Sequence, residues 1–178
     1  LMAAMDQPTI DGVNSYFVSK VTAETGLKVA ISGLGGDEMF GGYASFREVP
    51  LLARVLKPFR FVPGFGRGFR AVSAPVLKHF TSPKYAGLFE YGTTHGDAYL
   101  LRRGLFLPWE LPQVLDPDLV REGWRALKSR AHLRATVAGI GSVHLRISAL
   151  ETAWYMRNQL LRDADWAGMA HSLEIRVP

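Results

Sequence analysis

The chain is expected to fold as an α/β protein that is predominantly α-helical, with one or two short parallel strands. Three observations predict this. A helix, a short β-branched strand and a glycine-rich turn follow one another between residues 11 and 43. No later segment shows a sustained period of two, and the apolar runs after Tyr43 are broken by Pro58, Pro63, Pro75, Pro83, Pro108, Pro112 and Pro117. With 178 residues, 48% of them hydrophobic and 21% charged, the chain is long and apolar enough to bury a core, so disordered and fibrous classes are excluded.

Residues 11 to 25 carry Val13, Phe17, Val18 and Val21 at helical spacing behind Asp11 as the expected cap, and Gly26 is the stop. Lys28 to Ile31 reads as a buried strand that feeds the turn at Ser32-Gly33. Phe59 to Phe69, with Pro63, Gly64, Gly66 and Gly68, is expected to be a long loop. Asp116-Pro117-Asp118 starts a helix that should run to about Arg130, with acids at the positive end of its dipole. Gly139 and Gly141 mark a linker. From Ser142, the spacing of Val143, Ile147, Leu150, Trp154 and Leu161 predicts one long amphipathic helix.

There is no cysteine, which excludes disulfides, thiolate metal sites and a thiol nucleophile. No apolar run is long enough to span a membrane and no signal sequence opens the chain, so a cytoplasmic protein without a membrane partner is expected. The net charge of +5 is uneven. No acid occurs between Glu48 and Glu90, where Arg54, Lys57, Arg60, Arg67, Arg70, Lys78 and Lys84 lie. A solvated basic face is the ordinary account of such a stretch, and an anionic partner the other. Nucleic acid is not the expected partner, because helix-turn-helix spacing, a zinc pattern and an aromatic RNP-like run are all missing. His79, His95, His132 and His144 have no ligand spacing, and the tryptophans read as packing residues, with Trp166 the one near a motif.

The run Ser32-Gly33-Leu34-Gly35-Gly36-Asp37-Glu38-Met39-Phe40-Gly41-Gly42-Tyr43 carries the most chemistry. Glycines after a strand expose backbone N–H groups that can cradle phosphate, and two adjacent carboxylates offer the hard oxygens that magnesium requires. A tight strand-to-helix turn with Asp37 as its N-cap is the structural alternative. The pattern is neither the dinucleotide fingerprint nor the lysine-containing phosphate loop.

This run resembles a signature of the glutamine-hydrolysing asparagine synthetase family, in its ATP-dependent synthetase domain. A second stretch, Asp165-Trp166-Ala167-Gly168-Met169-Ala170-His171-Ser172-Leu173-Glu174-Ile175-Arg176-Val177-Pro178, is similar to the family's Asp-Arg-x-Ser-Met-Ala-His-Ser-Leu-Glu-x-Arg-Val-Pro, and Asp6-Gln7-Pro8 resembles its Asp-Glu-Pro. The resemblance implies an adenine-nucleotide alpha hydrolase-like fold that uses ATP and Mg2+ to activate a carboxylate, aspartate by family default, as an acyl-adenylate. Ammonia from glutamine then gives asparagine or a related amide. By motif position, Ser32, Gly33, Gly35, Gly36 and Tyr43 are implied nucleotide-binding residues, Asp37 the magnesium ligand, and Glu38 a catalytic residue. His171, Glu174 and Arg176 take supporting roles.

Three positions depart from the family pattern. Leu34 stands where an acid is usual, which opens the choice of acceptor to other carboxylates. Asp163 and Trp166 stand where a lysine and an arginine are usual, which makes Arg162 the candidate replacement cation. The family's Ser-Gly-Gly-x-Asp-Ser loop and its cysteine-bearing glutaminase domain do not occur in the sequence. The 178 residues are therefore expected to be part of a synthetase domain whose partners are ATP or pyrophosphate, a carboxylate and a glutaminase domain, inactive alone and prone to self-association as a homodimer. The alternative is a non-catalytic phosphate-binding or interaction module.

Overall fold

Parallel pairing between two three-residue strands defines the sheet in this computed structural model, which describes residues 1–9, 11–77 and 79–177. Lys78 of the basic stretch and Pro178 of the second motif lie outside the described residues. In chain order the elements are α1 (Asp11–Glu24), β1 (Val29–Ile31), α2 (Gly36–Phe40), α3 (Ser45–Leu56), α4 (Phe65–Leu77), α5 (Leu88–Tyr91), α6 (His95–Arg103), α7 (Pro117–Leu127), α8 (Ser129–Thr136), α9 (Val143–Leu150), α10 (Leu161–Met169) and β2 (Glu174–Arg176). The chain divides into two units, Leu1–Tyr43 with Glu151–Pro178, and Ala44–Leu150.

In the first unit, β1 and β2 run parallel with Val29 opposite Glu174, Ala30 opposite Ile175 and Ile31 opposite Arg176. A parallel neighbour needs a long crossover, and here the chain leaves after Tyr43 and returns at Glu151. α1 packs on α10 through small residues: Gly12 and Ser19 are its buried positions, while Phe17, Val18 and Val21 are exposed. A Cβ at Gly12 would lie 2.5 Å from the Trp166 ring and 2.7 Å from the Thr9 methyl, so only glycine permits this approach. Asp11 is not a cap. It is the first helical residue, its Oδ2 accepts from Tyr155 and Gln159 at 3.0 and 3.1 Å, and Thr9 Oγ1 receives the Gly12 N–H instead.

The second unit is helical, with a core of Tyr91, Leu101 and Leu107 against Leu52, Leu88, Leu100 and Trp109. The long loop expected from Phe59 to Phe69 is absent. A 3-10 turn covers Lys57–Phe61, and α4 begins at Phe65. The glycines there serve packing rather than flexibility, since a Cβ at Gly66 would stand 2.7 Å from the Glu90 backbone. That close approach lets Phe59, Phe65 and Phe69 gather around Phe89, with ring centroids 4.6–5.2 Å from it. The basic stretch is partly neutralised, because Arg70 lies 2.8 Å and Arg67 3.8 Å from Glu90. Prolines 58, 83, 112 and 117 sit in first turns, where a missing N–H costs nothing.

Asp116 caps α7 as the sequence predicts, accepting from the Asp118 and Leu119 N–H groups at 2.9 and 3.1 Å. The helix stops three residues short of Arg130, however, because Lys128 turns left-handed (φ +44°) and α8 starts anew. The single helix expected from Ser142 is also modified: α9 is followed by a π-helical run, Glu151–Leu160, before α10. Apolar spacings of four and seven are those of an α-helix, so the pattern carried no sign of the wider winding. Among the described residues, no helix is long and apolar enough to cross a membrane.

The ionic centre of the second unit is Asp97, fully buried, with Arg130 Nε at 2.7 Å and Arg134 Nη2 at 2.5 Å. Thr94 caps α6 by accepting the Asp97 N–H and donating to Asp97 Oδ2 at 2.9 Å. Burial alone would raise the Asp97 carboxyl, but the hydrogen bonds and charges of the two arginines outweigh it and hold the group below its ordinary value. A depressed acid stabilises the fold above its unfolded value, near pH 4, and that stability is lost as pH falls through the lower folded value. Replacing Asp97 by Ala strands two arginines and should cost about 3 kcal/mol at pH 7. Urea unfolding of both proteins at pH 7 and pH 3 checks this, with the difference shrinking at the lower pH.

Candidate active site

The glycine-rich run begins where β1 ends. Ser32 N–H extends the ladder by donating to Arg176 C=O at 2.8 Å, and Ser32 Oγ turns back to accept the Leu34 N–H at 3.3 Å. Gly36 N–H closes the turn on Gly33 C=O, and Gly35 takes φ +102° to enter α2. Gly35, not Asp37, is thus the N-cap, which corrects the structural alternative weighed for Asp37. A Cβ added at Gly33 or Gly36 would meet nothing within 4 Å. Neither residue needs to be glycine for the chain's own packing, and both border open space.

Asp37 is exposed, and its backbone is held in place. Its carbonyl accepts both the Gly41 and Gly42 N–H groups at 3.0 Å, and its carboxylate folds back over Gly42, where a Cβ would sit 2.0 Å from Oδ1. Gly42, which the sequence presents merely as part of the motif, is what lets the carboxylate rest there. Glu38, one residue on, points the opposite way. It is 1% exposed, its Oε1 accepts from the Tyr43 hydroxyl at 3.0 Å, and its Oε2 has no partner. Burial, then the hydrogen bond to Glu38 and its charge, push the Tyr43 phenol above its ordinary value, so it stays a neutral donor. Glu38 therefore lies beneath the loop and Tyr43 seals it there, edge-on to Tyr155 at 5.7 Å.

The second motif reaches this turn through β2. Arg162, the candidate cation, has Asp6 as its partner, with Nη2 and Nε at 2.7 and 3.1 Å from Oδ2. The two departures in this segment prove to be one arrangement. Asp163, 1% exposed, accepts from Trp166 Nε1 at 3.1 Å and from Thr9 Oγ1 at 2.7 Å, and Trp166 stacks on Tyr16. Trp166 is therefore core. Thr9 and Gly12, which complete this contact, carry no motif signal of their own. His171 rests on the Tyr16 ring at 4.4 Å with its Nε2 buried and unpartnered, while Glu174 and Arg176 form an exposed pair at 2.8 Å. Among the described residues there is no group of three histidine or acidic side chains placed to hold a metal ion.

These contacts predict two outcomes. Tyr43→Phe leaves a buried carboxyl with no donor and should destabilise the chain by about 1–2 kcal/mol. Gly42→Ala displaces the exposed Asp37 carboxylate, the free end of a side chain, and should cost no more than about 1 kcal/mol. Urea unfolding measures both, and a neutral Tyr43→Phe would contradict the role given to Glu38.

The whole described site lies inside a family match, since residues 1–178 fit the asparagine synthase family. A Mycobacterium tuberculosis protein, whose name assigns it provisionally to the glutamine-hydrolyzing asparagine synthetases, is 33% identical over 177 residues, 98% of this chain and 26% of the relative. Asparagine synthetase [glutamine-hydrolyzing] 1 of Bacillus subtilis is 32% identical over 179 residues, 97% of this chain and 26% of that protein. A Methanocaldococcus jannaschii relative is 47% identical over 38 residues, 21% of this chain and 7% of its own length. The chain thus spans about a quarter of the length of the first two. No solved structure matches it. The match along its full length, with the two motifs held side by side on paired strands, places the chain in the asparagine synthase family.

Proposed function

We propose that this chain forms part of the carboxylate-activating half of an ATP-dependent amidotransferase, with a sheet of the adenine-nucleotide alpha hydrolase-like type. In the reaction, a carboxylate oxygen attacks the α-phosphorus of ATP, pyrophosphate leaves, and ammonia displaces AMP from the acyl-adenylate to give an amide. In a longer protein of this kind, a glutaminase domain supplies the ammonia. One observation carries the reading: the Ser32–Tyr43 loop offers an open cradle at Gly33 and Gly36 beside an exposed carboxylate for which Gly42 leaves room.

The residues present fit the groups the reaction needs at this end of the site. Asp37 is the hard oxygen donor for magnesium on a polyphosphate. Gly33 and Gly36 leave room for a ligand to approach the backbone of the turn, as phosphate groups do in glycine-rich loops. Ser32 orients the turn through Leu34, and Glu38 with Tyr43 holds α2 in place from below. Arg162 in this reading is a positioning residue that ties the Asp6 segment to α10.

A second reading, a non-catalytic phosphate-binding or interaction module, is favoured by Asp163. The position where the family pattern has a lysine holds a buried acid, with Trp166 and Thr9 as its donors. Calorimetric titration of the chain with ATP or pyrophosphate plus magnesium separates the readings. Binding that Asp37→Ala weakens at least tenfold is the expected result for a working half-site. No heat at millimolar ligand would exclude both the half-site and a phosphate-binding module and leave the interaction module.

A further inference from the structure

The first unit contains a cavity of about 310 Å3 between α1, β1, α10 and β2, opening beside Ser32. Its walls are mostly aliphatic, with Val18, Ala30, Leu34, Leu160, Ala164 and Ile175 among them. Its polar lining comes from serine, threonine and asparagine residues and from two acids, Asp11 and Asp163. Among the described residues, no lysine, arginine or histidine lines it. Asp163 already receives two neutral donors, and Asp11 Oδ2 already receives Tyr155 and Gln159.

A second carboxylate placed in such a cavity would lose its water, meet two like charges and find no cation, each of which opposes binding. An aliphatic or aromatic body would instead cover apolar wall that is otherwise wet. Leu34 sits at the junction: its N–H belongs to the glycine turn through Ser32, and the residue lines the cavity. The turn that borders the open cradle and the apolar cavity therefore share one residue. A ligand with its carboxyl at the turn can extend its body inward.

We propose that the acid handled at this site is a monocarboxylate with an apolar body that occupies this cavity, and that Leu34 selects it over dicarboxylates such as aspartate. The proposal rests on the reading of the loop as a carboxylate-activating site. Selection follows because a site wall that offers two like charges and no cation cannot repay the desolvation of a second charge, whereas contact with an apolar body requires no partner.

Calorimetry with 4-phenylbutyrate and with aspartate, in the absence of nucleotide, tests the cavity itself. The expected result is binding of 4-phenylbutyrate at least tenfold tighter than that of aspartate. Ala164→Trp, which fills the cavity, should abolish it, and Leu34→Glu should weaken it at least tenfold. Thermal melts accompany both variants, and Leu34→Glu, at a half-buried position, keeps the test decisive if Ala164→Trp does not fold. Equal or tighter binding of aspartate, no binding of 4-phenylbutyrate at millimolar concentration, or unchanged binding in a folded variant overturns the proposal. ATP–pyrophosphate exchange in the protein that carries this chain then separates the two claims. Exchange driven by 4-phenylbutyrate supports both, and exchange driven by aspartate alone overturns the cavity proposal. Exchange with neither acid, while 4-phenylbutyrate binds, overturns the activation reading and leaves only the cavity's preference for the apolar acid.

Discussion

The parallel ladder between β1 and β2 is the constraint on which the candidate site depends. Glu174 N–H donates to Lys28 C=O at one end and Ser32 N–H to Arg176 C=O at the other, both within 2.9 Å. The first bond fixes where the second motif enters the sheet. The second fixes the direction in which the glycine turn leaves it. A slip of one residue would invert every side chain on β2, moving Ile175 off the cavity wall and Glu174 and Arg176 into it. Two motifs more than 120 residues apart in the sequence thus become one surface through a few backbone hydrogen bonds. α10 strengthens the arrangement from the side, since Gly168 C=O accepts the Leu173 N–H and a Cβ at Gly168 would lie 2.6 Å from Leu173 C=O.

What could be read from the sequence was local: the strand before Ser32, the stop at Gly26, the Asp116 cap and the helical character after Tyr43. Each depends on near neighbours in the chain. What could not be read depends on distant partners. Gly64, Gly66 and Gly68 look like a loop, and yet α4 runs through the last two because Gly66 abuts Glu90, a residue 24 positions away. Phe17, Val18 and Val21 have helical spacing, but the face that α1 turns toward α10 is the one with Gly12 and Ser19. In a helix that packs through small residues, hydrophobic periodicity reports the helix and not which side is buried.

Within the site, residue types and the strand-to-turn order were legible, while orientation was not. Asp37 and Glu38 are adjacent acids in the sequence, and on α2 they point to opposite environments. One is exposed over Gly42, and the other is buried under Tyr43. Adjacent helical positions are about 100° apart, so two neighbouring carboxylates cannot readily serve one ion together. The close contact of Asp37 with Gly42 is a three-dimensional fact, visible only once Gly41 has turned the chain back.

Three buried carboxylates show how one functional group takes three states from its surroundings. Asp97 is met by two guanidinium groups and is held as an anion. Asp163 is met by an indole N–H and a hydroxyl, donors that satisfy its oxygens without bringing a charge. Glu38 has a single phenol and an empty second oxygen. Asp97 therefore acts as an ionic anchor whose partners would be left uncompensated without it. Asp163 acts as a packing element that ties Thr9, just before α1, to Trp166 on α10. Glu38 retains hydrogen-bonding capacity that its own fold does not use, and it lies directly beneath the loop that the sequence and the structure both single out.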